Sequence, residues 1–359
     1  MGRGTGAGAT VAARTVRTPS PPGEGRPSEN DASRSPRRRR HRERRTVLAA
    51  LLAAAVVLPL TGATRPDIPA PPPASLAPLT PATLDAAYEA NRADAAEASR
   101  MAAAHGDTTR AAADHAMASP SRRLLAFDGR GEGRATEVFG DLAHASRVAV
   151  LVPGSDTSLD TWSRFRATAV ALRHRLLREA PHGTGTAVVA WLGYTTPATV
   201  STTVLTTARA DEAAPRLRDL LTELHGLTRP DAHVSLICHS YGTVVCGRSA
   251  ARLSGLGVSD IVLVGSPGTG VDSAADLRTR ARLWAARGDD DWIADVPHLR
   301  TDFFGTTVGF GTDPVSPAFG ARVFAAGGGG HSDYFRPGSV SLANLARIVL
   351  GETREVSHA

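Results

Sequence analysis

The chain of 359 residues contains no lysine, two cysteines, three methionines and only 5% aromatic residues. So few thiols cannot supply a disulfide framework or the paired Cys/His spacing of a structural zinc site. No H-E-x-x-H motif is present, and the triplet Asp289-Asp290-Asp291 lacks the surrounding loop of an EF-hand. The glycine run at 327–330 lacks the G-K-[ST] ending of a phosphate loop. No metal site or cofactor is therefore expected. The missing lysine, with abundant Ala, Arg and Gly, reads as the bias of a GC-rich genome.

The net charge of +6 suggests a nucleic-acid or membrane partner until it is divided by region. Residues 1–45 carry twelve Arg against Glu24, Glu29, Asp31 and Glu43, a balance of +8 that leaves −2 for the remainder. The folding part is close to neutral, which argues against a nucleic-acid face. The cysteines, Cys238 and Cys246, flank one tight turn. A bridge would tie a strand end to a helix across that bend, so two buried thiols are expected, and they leave the compartment open.

Residues 1–45 are Arg, Gly, Ser and Pro with almost no apolar residue, a composition expected to be disordered. Their basic end, R-R-R-R-H-R-E-R-R at 37–45, abuts V-L-A-A-L-L-A-A-A-V-V-L-P-L at 47–60 and then Thr61-Gly62-Ala63. Positive run, short apolar stretch and small residues read as a signal sequence over 46–63 with cleavage after Ala63. The long leader also leaves room for an uncleaved membrane anchor, and Arg44-Arg45-Thr46-Val47-Leu48 fits a twin-arginine export pattern. Whatever follows is expected to be exported. Residues 64–82 form a stiff Pro/Ala-rich linker, and 83–119 an Ala-rich helical region broken near His105-Gly106-Asp107. The folded domain spans 120–351, with a tail at 352–359.

After Pro120, short β-branched runs alternate with helical segments, the pattern of a mostly parallel sheet flanked by helices. Strands are expected at Leu124–Phe127, Ala135–Phe139, Arg147–Val152, Ala187–Trp191, Val234–Cys238, Ile261–Val264 and Arg282–Ala285. Helices are expected near 158–179, 208–225, 241–254 and 341–350. The first two strands, joined by Gly129–Gly133, form a hairpin.

One turn carries chemistry. The apolar strand ending at Cys238 runs into Cys238-His239-Ser240-Tyr241-Gly242 and then a helix, the context of a nucleophile elbow. The residues two before and two after the serine must be small, because strand and helix nearly touch there. Gly242 meets this need, and Cys238 takes the first glycine's place. A serine nucleophile needs an imidazole base and an orienting carboxylate, in the chain order Ser, Asp/Glu, His. Of His298, His331 and His358 downstream, His331 follows a glycine run and precedes the last helix, where the base is expected. Asp291, ahead of Trp292-Ile293, is the expected acid and Asp290 the alternative. Oxyanion donors are expected from the backbone N–H groups of Tyr241 and of Ser155, in Pro153-Gly154-Ser155-Asp156-Thr157.

These segments together resemble the actinobacterial α/β-hydrolase family of unknown function known as DUF1023. The matching blocks are V-L-V-P-G at 150–154, A-W-L-G-Y at 190–194, H-S-Y-G-T at 239–243, V-L-V-G-S-P-G at 262–268 and D-W-I at 291–293. They continue with G-T-D-P at 311–314, F-G-A at 319–321, G-H-S-D-Y-F at 330–335 and S-L-A-N-L-A at 341–346. The resemblance covers about 230 residues in order. It implies an α/β-hydrolase fold and a triad of Ser240, Asp291 and His331. The family usually has Gly where Cys238 stands, and commonly Ser where Thr243 stands. The resulting expectation is an exported serine hydrolase that cleaves a small-molecule or lipid ester through an acyl-enzyme. Two rivals are an acyltransferase on the same residues and a surface-anchored binding protein whose site is a relic.

Overall fold

The computed structural model describes residues 68–359 apart from Leu299, Phe304 and Gly305. The expected leader, the apolar segment at 46–63 and the start of the linker lie outside the described residues. No helix among the described residues is long and apolar enough to cross a membrane.

An eight-stranded sheet forms the centre, in the order β1-β2-β4-β3-β5-β6-β7-β10. Its strands are β1 (Leu124–Asp128), β2 (Arg134–Gly140), β3 (Arg147–Val152), β4 (Thr186–Leu192), β5 (His233–His239), β6 (Val258–Val264), β7 (Arg282–Ala286) and β10 (Arg322–Val323). β1 and β2 form an antiparallel hairpin, β2 pairs antiparallel with β4, and every other pairing is parallel. β4 is apolar at almost every position and β3 after its first residue, as parallel strands buried on both faces must be. One face packs Val148, Val150, Leu236 and Cys238, and the other packs Ala149, Leu151, Ile237 and Val262. The seven strands expected from sequence are all present. The two-residue β10 and the separate hairpin of β8 (Arg300–Phe303) and β9 (Thr306–Gly309) are additional.

Among the described residues six α-helices accompany the sheet: α1 (Leu84–His105), α2 (Thr108–Met117), α3 (Trp162–Glu179), α4 (Ala208–Leu227), α5 (Gly242–Ser249) and α6 (Val340–Leu350). α1 ends where Gly106 turns left-handed at φ 91, and Asp107 caps α2 by accepting from Arg110 N. The pair docks on the hairpin side of the sheet, where the buried Asn91 Nδ2 donates to the carbonyls of Leu124 and Leu125 at 3.0 Å each. The C-terminal residues also dock, with Asn344 Nδ2 donating to Ser357 Oγ at 2.8 Å and Val356 buried.

From β3 the chain moves outward through α3 to β4, then returns through α4 to β5 on the other side of β3. Strand order reverses between β3 and β5, so their carboxyl ends diverge into a crevice, the usual ligand position in an open parallel sheet. A buried ion network fixes α3 beside that crevice. Glu137 of β2 accepts from Arg122 Nη1 at 2.5 Å, Trp162 Nε1 at 3.2 Å and Arg166 Nε at 3.1 Å. Glu137→Ala leaves the Arg122 guanidinium buried without its partner. The expected loss of stability is about 3–5 kcal/mol, read from the midpoint of urea unfolding.

Candidate active site

β5 ends in a turn whose serine is left-handed: Ser240 has φ 54, a conformation that strains any residue with a Cβ. Bonds on both sides hold it there. Ser240 N donates to Val264 O at 3.0 Å, and its carbonyl accepts from Thr243 N at 2.9 Å and Thr243 Oγ1 at 2.8 Å. Packing allows no bulk nearby. A Cβ on Gly242 would lie 2.5 Å from Val152 O, and one on Gly154 would lie 2.5 Å from Ser240 Cβ. Gly154 thus admits the serine itself, a tighter demand than the approach of a substrate.

The expectation of two free thiols is overturned, because Cys238 and Cys246 form a disulfide. The bend does not separate them. It folds α5 back along β5, so that Cys246, in the second turn of the helix, comes over the strand end with a Cα–Cα distance of 6.5 Å, within bridging range. Both residues face the same core cluster.

His331 Nε2 lies 2.9 Å from Ser240 Oγ, and His331 Nδ1 lies 2.8 Å from Asp291 Oδ1. This geometry corresponds to Nδ1 donating to the carboxylate and Nε2 accepting from the hydroxyl. Asp291 is 3% exposed and is fully engaged. Its Oδ1 also accepts from Ile293 N at 2.9 Å, and its Oδ2 accepts from the Tyr334 hydroxyl. Burial pushes this carboxyl up, but the bonds from His331, Tyr334 and Ile293 N outweigh burial and hold it below its ordinary value. Asp290 is exposed and stands outside the network. His298 lies 3.3 Å from Ser266 O instead, and His358 is exposed beside β10, where Phe324 bridges to it.

Three residues of this network were not singled out from sequence. Tyr334 Oη accepts from Gly288 N at 3.0 Å while donating to Asp291, so it ties the loop after β7 to the His331 loop. Burial, then the bond to Asp291, raises its pKa, which keeps the phenol a donor. Gly265, at φ 57, leaves room for the acid, since a Cβ there would lie 3.0 Å from Asp291 Oδ2 and from the Tyr334 ring. His239 Nε2 lies 2.7 Å from His331 O, the contact of a donor with a carbonyl. A tyrosine three residues after a candidate base, and a histidine beside a candidate nucleophile, are the sequence signals that could have found two of these.

Oxyanion chemistry needs free N–H groups aimed at one point. The N–H groups of Tyr241 and Ser155 find no acceptor among the described residues, and both residues line the cavity above Ser240. The Ser155 loop is stitched in place by side chains. Tyr194 donates to Pro153 O at 2.7 Å, and Asp156 Oδ1, on a residue at φ 57, accepts from Thr199 N at 3.0 Å. Tyr241 in turn donates to Thr206 O at 2.7 Å, tying the elbow to the segment before α4.

The cavity has a volume of about 410 Å³. Thr161, Arg164, Phe165 and Thr168 line it from the first turns of α3, the spacing of one helical face. Leu151, Ile237 and Phe335 form a mainly apolar wall on that side, and Val204, Leu205 and Phe310 line the other. None of the lining comes from α1 or α2. No cluster of metal-binding side chains occurs among the described residues.

Residues 128–301 match the family model described as Alpha/beta hydrolase. With the sheet order above, this match agrees with the α/β-hydrolase fold that the sequence motifs implied. An uncharacterized protein of Mycobacterium tuberculosis is 28% identical over 285 residues, covering 69% of this chain and 42% of the relative. One of Mycobacterium bovis is 33% identical over 180 residues, covering 47% of this chain and 66% of the relative. Both agree with an actinobacterial α/β-hydrolase family of unknown function, and the chain spans less than half of the first relative. Among solved structures, a predicted CIB-like hydrolase from Thermoplasma acidophilum is 17% identical with a TM-score of 0.40, covering 66% of this chain and 98% of that one. An α/β serine hydrolase homologue from Coxiella burnetii is 14% identical with a TM-score of 0.38, covering 65% and 97%.

The disulfide and His239 give separate tests. A bridge across a sequence separation of eight removes about 2–3 kcal/mol of unfolded-state entropy. Cys246→Ala, or the parent in reductant, should lose that stability in thermal unfolding. His239 is pushed down to about 4, first by burial and then by the neighbouring His331. Between pH 4 and 6.5 the unfolded chain binds the proton that the folded chain refuses, so this residue makes stability rise with pH across that window. His239→Asn should flatten that rise in unfolding measurements made from pH 4 to 7.

Proposed function

We propose that the chain is an exported serine hydrolase that cleaves a carboxylic ester through an acyl-enzyme. The reading rests on the hydrogen-bonded chain from Ser240 Oγ through His331 to the buried Asp291, at 2.9 Å and 2.8 Å, with the serine on a strained elbow at φ 54. In this scheme Ser240 Oγ attacks the ester carbonyl as His331 Nε2 takes its proton. Asp291 holds the imidazole tautomer and stabilises the imidazolium that forms, without itself accepting the proton. The Tyr241 and Ser155 N–H groups stabilise the oxyanion. The imidazolium then protonates the leaving alcohol, and water, deprotonated by the same imidazole, releases the carboxylic acid and frees Ser240. No step requires a cofactor.

The completeness of this arrangement favours catalysis over a relic site, since Tyr334, Gly265 and His239 all serve the geometry of Asp291 and His331. The Cys238–Cys246 bridge supports export, because structural disulfides persist in oxidising compartments. It adds to the basic and apolar pattern before residue 64.

A fluorophosphonate probe should label the purified chain and fail to label Ser240→Ala. Turnover of a short-chain ester should fall about 10⁶-fold in Ser240→Ala and about 10⁴-fold in Asp291→Asn. A folded chain that takes no label and cleaves no ester of any chain length would refute the reading.

A further inference from the structure

The cavity above Ser240 has two unlike sides. Toward α3 its floor is closed by Leu151 and Ile237, each 1% exposed, which lie one and two residues back from the ends of β3 and β5. Because β3 and β4 are parallel, α3 between them runs back down the sheet. The α3 residues along the cavity therefore descend from its mouth. From Thr161 to Thr168 they cover about 10 Å, at roughly 1.5 Å per residue. Phe165 packs edge-on to Trp162 with centroids 5.5 Å apart, and the buried Phe335 completes this wall. The threonines do not make it polar, because their hydroxyls are already engaged. Thr168 Oγ1 donates to Phe165 O at 2.6 Å, and Thr161 Oγ1 donates to Asp156 O at 3.1 Å. The other side is open, for the lining residues Leu205 and Trp292 are each 49% exposed.

The order of the reaction assigns the two sides. The alcohol departs first, while the acyl group stays on Ser240, and water then takes the vacated place. A group lodged in the closed arm could not leave ahead of the part that blocks its way. The alcohol must also lie within reach of His331 Nε2, which protonates it. Trp292, on the open side, stands with its ring 4.6 Å from that of His331. The acyl chain is left with the arm beneath α3. Its length follows from the depth of that arm. An extended chain advances about 1.2 Å per bond, a third of the reach of one residue, so about 10 Å holds about eight carbons. The whole cavity, about 410 Å³, lies near the low end of the roughly 300–1,000 Å³ of ligand sites. That volume leaves room for a small alcohol but not for a second long chain.

We propose that the closed arm bounded by Leu151, Ile237, Phe165, Thr168 and Phe335 is the acyl pocket, and that the substrate joins an unbranched acid of about eight carbons to a small alcohol. The assignment of acyl and alcohol sides rests on the hydrolase reading above.

The full chain is assayed on two series, methyl esters of acids from acetic to dodecanoic and acetates of alcohols from methanol to dodecanol. Along the acyl series kcat/KM should rise about fourfold per methylene, peak near about eight carbons and then fall. Along the alcohol series it should stay nearly flat. Equal steps in both series, or a steeper rise along the alcohols, overturn the assignment. Thr168→Phe, which fills the inner end of the arm, should move the acyl peak down by about two carbons or more. An unmoved peak in the folded variant overturns the proposal, and the two series of the parent decide it even where this variant does not fold. Ser240→Ala, titrated calorimetrically with the same methyl esters, should show the same step and the same peak in affinity. Affinity that ignores chain length overturns the pocket. Because this binding needs no turnover, a parent that takes no fluorophosphonate label and cleaves no ester refutes the hydrolase reading, while the pocket is judged by the titration.

Discussion

Ser240 occupies a backbone conformation that costs a non-glycine residue about 1–3 kcal/mol, and much of the surrounding structure exists to enforce it. Val264 O and Thr243 grip the two ends of the turn. Gly154 and Gly242 remove the side chains that would push strand and helix apart. The Thr243 hydroxyl also lies 2.7 Å from Ser266 Oγ and 2.9 Å from Gly268 O, which joins the elbow to the loop after β6. The Cys238–Cys246 bridge closes the same unit covalently, at a position where glycine is usual in the family the motifs resemble. A residue that packs two elements in one chain is here replaced by one that links them.

A second layer of constraint brings distant loops together. The loops after β6, after β7 and before α6 meet around one carboxylate, and each supplies something different. Gly265 supplies space, Asp291 the charge, and His331 and Tyr334 the hydrogen bonds. The carboxylate stays ionised although buried because its neighbours donate to it. Glu137 plays a comparable part at the other wall, where Arg122, Trp162 and Arg166 converge on it and orient the face of α3 that lines the cavity. Buried charge in this protein therefore coincides with places where helices and loops must be aimed.

The strands were legible because β-branched runs of fixed length recur between helical segments, and burial on both sheet faces demands that composition. The elbow was legible because its residue types are dictated by local crowding. The network around Asp291 was legible only as chain order. Among Asp289, Asp290 and Asp291, one residue is buried and two are exposed, a difference of side-chain direction set by the short turn at Trp292–Asp295. Tyr334 and Gly265 were invisible because their importance lies in contacts across 43 and 26 positions of sequence, from Tyr334 and Gly265 to Asp291. The strand β10 has two residues and leaves no periodicity to read.

The disulfide marks the boundary most clearly. Sequence by itself determined an α/β architecture, the position of the strained serine turn and the order of the residues that follow it, because these depend on local sterics and hydrophobic period. It could not determine that Cys246 returns to Cys238, since an apparent obstacle in one dimension, the sharp bend, is in three dimensions the reason the two sulfurs meet. Tertiary structure likewise decided that Gly265, Asp291 and Tyr334 meet, because they come from three separate loops and the distances between them are created by folding alone.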